Sequence, residues 1–104
     1  MPDYGRRDLM RVRFTWDADK AAGNLRKHGV SFEEAQTVFG NPLALIFDDE
    51  THSTLERREI IIGHSANGRL ILVCFIEREG GVRLISARCA TPKERRDYEE
   101  SARF

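Results

Sequence analysis

The densest set of groups able to act on a phosphodiester lies near the end of the chain. It runs Arg83-Leu84-Ile85-Ser86-Ala87-Arg88, then Cys89-Ala90-Thr91-Pro92-Lys93-Glu94-Arg95-Arg96-Asp97-Tyr98. RNA cleavage without a metal needs a base for the 2′-OH proton, cations for the charge of a phosphorane-like transition state, and an acid for the leaving 5′-oxygen. Arginine suits the second task, because its fork matches phosphate oxygens and stays charged. Glu94, Tyr98, His28 or a lysine suit the other two. An aromatic ring such as that of Tyr98 can also stack on a base of single-stranded RNA. Glu94 and Tyr98 share one helix face with Arg95 beside them. Strict alternation sends Arg83 and Arg88 to opposite faces of one strand, unless a bulge near Ser86 changes the register.

Each of these groups also has a structural reading. Glu94 completes a capping box with Thr91. Lys27 and His28 close a helix, where cations suit the negative end of the dipole. Asp48, Asp49 and His52 read as a solvated loop more readily than as an acidic site. His28, His52 and His64 lie far apart without a ligand spacing, and no metal or cofactor is expected. Phosphate loops, nucleophile elbows and paired-cysteine motifs do not occur.

Several elements must position these groups. Val12, Phe14 and Trp16 alternate with Arg11, Arg13 and Thr15, which predicts a half-buried strand. Asp17 caps a helix whose apolar stripe reads Ala18, Ala21, Ala22, Leu25 and His28, and Gly29 stops it. Ser31 and Glu34 form a second capping box, with Val30 and Ala35 as a staple and Phe32, Ala35, Val38 and Phe39 as the stripe. Strands follow over 43–47, 59–63, 70–76 and 82–88. Asn67-Gly68 predicts a two-residue hairpin turn and Gly80-Gly81 another turn. Leu70–Ile76 is almost unbroken apolar sequence, so it belongs at the sheet centre with both faces covered, and Cys74 reads as a buried thiol. A last helix starts at Thr91-Pro92, with a thin apolar face of Tyr98 and Ala102 that docks weakly or awaits a partner. The order predicts an α+β domain, two N-terminal helices packed on a mostly antiparallel sheet plus a C-terminal helix.

Composition sets the outer bounds. The 104 residues suit one domain over 1–104, with 1–10 as a loose lead-in. A charged fraction of 33% demands a densely charged surface, although the net charge is zero. Residues 1–30 and 82–104 are net basic while 31–60 are net acidic, a distribution that can fold into opposed faces. Two cysteines, no leader sequence and no apolar run long enough for a bilayer point to the cytoplasm, with reduced thiols.

Two further stretches carry a family resemblance. Phe14-x-Trp16-Asp17-x-x-Lys20-Ala21-x-x-Asn24-x-x-Lys27-His28-Gly29-Val30-x-Phe32-x-Glu34-Ala35 looks like the start of BrnT toxins, a branch of the RelE-like toxins. Asp48 through His52 to Arg58 is similar to their acidic loop and following strand. Arg83-x-Ile85-Ser86-Ala87-Arg88-x-Ala90-Thr91-x-x-Glu94-Arg95-x-x-Tyr98 resembles their C-terminal signature. The likeness spans roughly residues 12–100. It implies a RelE-like fold and a type II toxin whose ribonuclease activity blocks translation and growth. It also implies a BrnA-type antitoxin that neutralises the toxin, carries operator-DNA binding, and assembles with it as a heterotetramer of two toxins and two antitoxins. By position the resemblance marks Lys27, His28, Arg58, Arg83, Arg88, Glu94 and Tyr98. Arg83 and Arg88 are expected at the phosphate, Glu94 or His28 as the base, Tyr98 on the substrate, and Lys27, Arg58 and Arg95 in RNA binding. Cys89 departs from the more basic residue expected there, which would weaken RNA contact.

Two competing readings remain. One is a non-catalytic module that binds antitoxin and operator, with nuclease activity lost or minor. The other is a metal-dependent nuclease, which sensitivity to a chelator would reveal.

Overall fold

The computed structural model describes residues 12–50 and 56–102. His52 and the proposed lead-in lie outside them. In chain order the elements are β1 (Arg13–Thr15), α1 (Ala18–His28), α2 (Phe32–Thr37), a short 3-10 turn (Val38–Gly40), β2 (Leu45–Asp48), β3 (Glu59–His64), β4 (Leu70–Arg78), β5 (Gly81–Cys89) and α3 (Pro92–Ser101). The strands form one sheet in the order β1-β5-β4-β3-β2. Only β1 runs parallel to its neighbour; the other pairs are antiparallel hairpin neighbours. The α+β architecture expected from the pattern is the one observed.

β4 is the middle strand, and its apolar run serves both faces of the sheet. Its odd positions Ile71, Val73 and Phe75 join Val30, Phe32, Ala35, Val38 and Phe39 in the main core under the first two helices. Its even positions Leu70 and Leu72 meet Ile62 and Tyr98 in a smaller core under α3. The stripe expected for α2 and its extension is therefore buried as a unit.

The expected stripe of α1 is not. Leu25 is 51% exposed, and the buried position of this helix belongs to Asn24. The cause is the sheet edge. β1 pairs only with Gly81–Arg83, so among the described residues the later part of β5 has no strand on the edge away from β4. α1 lies there, and Asn24 takes the place of a neighbouring backbone. Its Nδ2 donates to Ala87 O at 2.8 Å and Val30 O at 2.9 Å, and Ala87 N donates to its Oδ1 at 3.0 Å.

Two turn expectations also change. The chain from Ser65 to Arg69 closes with Ser65 N donating to Arg69 O and Gly68 N to Ser65 O. Gly68 has φ +79 while Asn67 is not among the positive-φ residues, so this is a three-residue loop ending in a left-handed glycine. The two-residue turn is instead Glu79-Gly80, with φ 44 and 80 between the paired Arg78 and Gly81. Gly81 belongs to β5, where an added Cβ would sit 3.1 Å from Arg13 O.

The second capping box is half formed. Glu34 N donates to Ser31 Oγ at 3.0 Å, but the Glu34 carboxylate turns inward. It accepts from Ser65 Oγ at 2.7 Å and Arg69 Nε at 2.9 Å. Arg69 also donates to Gly29 O, tying the α1–α2 turn to the β3–β4 hairpin. Burial explains the choice: an inward carboxylate with a guanidinium to meet is better satisfied there than on a backbone N–H at the surface.

Candidate active site

A bulge beside Ser86 decides the site and overturns the strict alternation expected along β5. Cys74 pairs with Ser86 and Phe75 with Leu84, so Ile85 is the extra residue of β5. Before it, Arg83 stands opposite Ile76; after it, Arg88 stands opposite Leu72. Ile76 and Leu72 lie on the same side of β4, because they are four positions apart on an alternating strand. Arg83 and Arg88 therefore share the face that carries α3. Without the bulge they would point apart.

Beside α3 this face opens into a cleft of about 370 Å³. His28 arrives from the end of α1, where Arg26 and Lys27 precede it in the last basic turn. Arg58 comes from the approach to β3, Cys74 from β4, and Ser86 and Arg88 from β5. Asp49 follows β2 into the same cleft. Residues far apart in sequence converge because the last turn of α1 passes the bare edge of β5.

The charges in the cleft are held in different ways. Arg88 makes a bidentate pair with Glu94, 2.8 Å on each arm. Glu94 Oε1 also accepts from Thr91 N at 2.9 Å, and the Thr91 hydroxyl accepts from Glu94 N, so the capping box of α3 is complete. The Arg88 guanidinium, aided by the Thr91 backbone, holds the Glu94 carboxyl down to about 2. A carboxylate held in this way gives up its lone pairs to Arg88 and Thr91, and its two oxygens anchor the guanidinium. Arg58 is held differently: its Nε is buried with no hydrogen-bond partner among the described residues. Burial pushes the Cys74 thiol up, and its Sγ lies 3.8 Å from Asp49 Oδ2. Cys74 is half-buried rather than enclosed, because it faces the cleft.

Other expected site residues lie elsewhere. Tyr98 is 5% exposed, donates to Leu43 O at 2.9 Å and meets His64 edge to face. It is the anchor of α3, and its ring is not presented for base stacking. Arg83 belongs to a separate cleft at the far end of β5, with Arg13 and Arg78. Lys27 and Arg95 are exposed. Cys89 pairs with Ile71 and so faces the helix side, 3.8 Å from Arg69 Nη1; it is on the opposite face from the cleft. Among the described residues no group of His, Cys, Asp and Glu converges as metal ligands would. Sequence reasoning missed Ser86, Cys74 and Asp49 as cleft residues, since only strand pairing brings them together.

A family model described as "Ribonuclease toxin, BrnT, of type II toxin-antitoxin system" matches residues 16–94, most of the chain. The chain belongs to the BrnT family. It is thus grouped with ribonuclease toxins of type II systems, which work with an antitoxin partner. Among solved structures it is similar to the Brucella abortus ribonuclease toxin BrnT, with 24% identity and a TM-score of 0.60. The alignment covers 77% of this chain and 97% of the Brucella chain, a likeness of fold. Comparison with curated proteins finds no match. Among the described residues of this BrnT-family chain no helix is long and apolar enough to cross a membrane.

Proposed function

We propose that this BrnT-family protein is a metal-independent endoribonuclease that acts in the cytoplasm, blocks translation and arrests growth. The observation that carries the reading is the cleft that joins His28, Arg58 and Arg88, with a buried Arg58 Nε–H that has no partner among the described residues. An orphaned buried donor is costly, and a phosphate oxygen satisfies it.

In this mechanism the His28 imidazole takes the 2′-OH proton on its unprotonated ring nitrogen. The 2′-oxygen attacks phosphorus, and the bond to the 5′-oxygen breaks. The leaving oxygen departs on the opposite side of phosphorus, so it takes its proton from water, and the imidazolium releases its own proton to solvent. The products are a 2′,3′-cyclic phosphate and a 5′-hydroxyl. Arg58 and Arg88 hold the non-bridging oxygens, and Glu94 keeps Arg88 in place. Lys27, Arg83 and Arg95 contact the RNA backbone, while Tyr98 acts through the placement of α3.

The partner in this reading is a BrnA-type antitoxin, which alone contacts operator DNA, in a complex of two toxins and two antitoxins. Leu43, Ile46 and Phe47 are large exposed apolar residues around β2 and favour a protein partner on that edge. The same exposure fits the binding-module reading, and the two differ in what a charge removal does.

The test is induction of the chain in a bacterial host, with total RNA and protein synthesis followed over time. Purified protein is assayed alongside on RNA with and without EDTA. The native chain should cleave with EDTA present and leave cyclic phosphate ends. His28→Ala should lose about 10²–10⁴-fold in rate while keeping its fold and antitoxin binding, as expected for a lost proton-transfer group. Normal growth with a soluble native chain would favour the binding module, and loss of cleavage in EDTA would favour metal chemistry.

A further inference from the structure

The face that carries the cleft continues beyond it. Thr15 of β1 pairs with Arg83 and Arg13 with Gly81, while Arg78 of β4 also pairs with Gly81. Directly opposed residues point to the same side of a sheet. Arg13, Thr15, Arg78 and Arg83 therefore share the side of Ser86 and Arg88, and no residue of α3, which sits on Ile62, Leu70 and Leu72 and pairs with Arg88, lines the cleft they form. Here a second cleft of about 250 Å³ is lined by Arg13, Thr15, Arg78, Glu79 and Arg83.

Guanidiniums and a hydroxyl from three strands make this cleft suited to a phosphate. Carboxylates temper it: Arg78 pairs with Glu56, Arg83 lies within electrostatic reach of Asp17, and Glu79 lines the rim. The Arg78–Glu56 pair is half exposed on both sides, so a phosphate can compete for the guanidinium at little cost. Arg83 and Arg88 lie roughly 13–16 Å apart along β5, at ~3.3 Å per residue with one residue taken up by the bulge. That exceeds the separation of neighbouring phosphates on one strand.

We infer that the far cleft holds a phosphate of the same RNA strand, more than one nucleotide from the bond that is cut, so that the substrate is single-stranded RNA engaged over several consecutive nucleotides. This deepens the ribonuclease reading and rests on it for the identity of the ligand. The Ile85 bulge is what makes the two sites collinear. The strand is single because in-line attack by the 2′-oxygen requires a nucleotide released from A-form stacking, and an extended strand can follow β5.

The test is binding of fluorescent 2′-O-methyl RNA, which cannot be cleaved by its 2′-oxygen, as a dinucleotide and as a hexanucleotide. The native chain should bind the hexanucleotide at least about tenfold more tightly. In Arg83→Ala this gain should collapse, and the slope of log affinity against log salt should fall by about 0.7, the single-strand value for one phosphate. Glu79→Gln should instead tighten the hexanucleotide, a gain that damage to the fold does not produce. Equal affinity for both lengths, or a gain that survives Arg83→Ala, would overturn the inference. The length gain supports the far cleft whether or not unmodified RNA is cut, so catalytic silence would remove the nuclease reading separately.

Discussion

Arg88 and Glu94 show how one pair serves two purposes. The bidentate contact fixes the guanidinium at the cleft, and the same carboxylate caps α3. The Glu94 pKa is depressed on folding, from the ordinary 4.5 to about 2. A depressed carboxylate stabilises the fold above its unfolded pKa and loses that contribution as pH falls through the folded value. The loss should therefore occur between pH about 4.5 and about 2. After allowance for solvent screening it is on the order of 1–2 kcal/mol. Melting temperature against pH should show this acid limb in the native chain and a shallower one in Glu94→Gln. Arg88→Ala should reduce cleavage by about 10²–10³-fold, the scale for loss of one preorganised donor to a developing anion. Near-native cleavage by a folded Arg88→Ala protein would remove Arg88 from the chemistry.

At the scale of elements, two polar side chains hold what apolar stripes do not. Asn24 closes the bare edge of β5, and Asn24→Ala strands both the N–H and the C=O of Ala87. The expected cost is about 2–4 kcal/mol by denaturant titration, from the two orphaned backbone groups. Arg69→Ala leaves the Glu34 side chain, 8% exposed, without its cation. That should cost about 2–3 kcal/mol, below the range for a fully buried pair because Arg69 is itself half exposed. Glu34→Gln with Arg69→Met should recover part of the loss, since the desolvated charge is then absent. How much of this was legible differs by element. The α2 stripe and the α3 cap could be read because their signals lie within a few residues. The Glu34–Arg69 tie spans 35 positions and carries no spacing signal, and the local capping box pointed to another partner for Glu34.

For the whole molecule, the two faces of the sheet are unequally covered. The helix side buries the larger core, and α3 covers the other side through Tyr98 with smaller help from Ala90 and Ala102. The molecule should open first at α3. Native-state hydrogen exchange should find α3 amides exchanging through local opening, well before those of β4. Tyr98→Ala should widen that difference, and because α3 carries Glu94 it should lower cleavage too. Uniform protection across α3 and β4 would contradict the asymmetry. The uncovered part of the weaker face is where both arginine clefts lie, so the exposed sheet surface that limits stability is also the surface left for a ligand.

The sequence by itself determined the elements, their N-terminal caps and the central place of β4, because these depend on neighbours within a turn or an alternating run. It also carried the family likeness, through the motifs at its two ends. Tertiary structure alone decided which charges meet. The one-residue bulge at Ile85 put Arg83 and Arg88 on one face, and the short pairing of β1 left an edge along which α1 delivers His28. Neither could be read locally. A register shift has no compositional mark, and a strand's missing neighbour is a property of the sheet rather than of the strand.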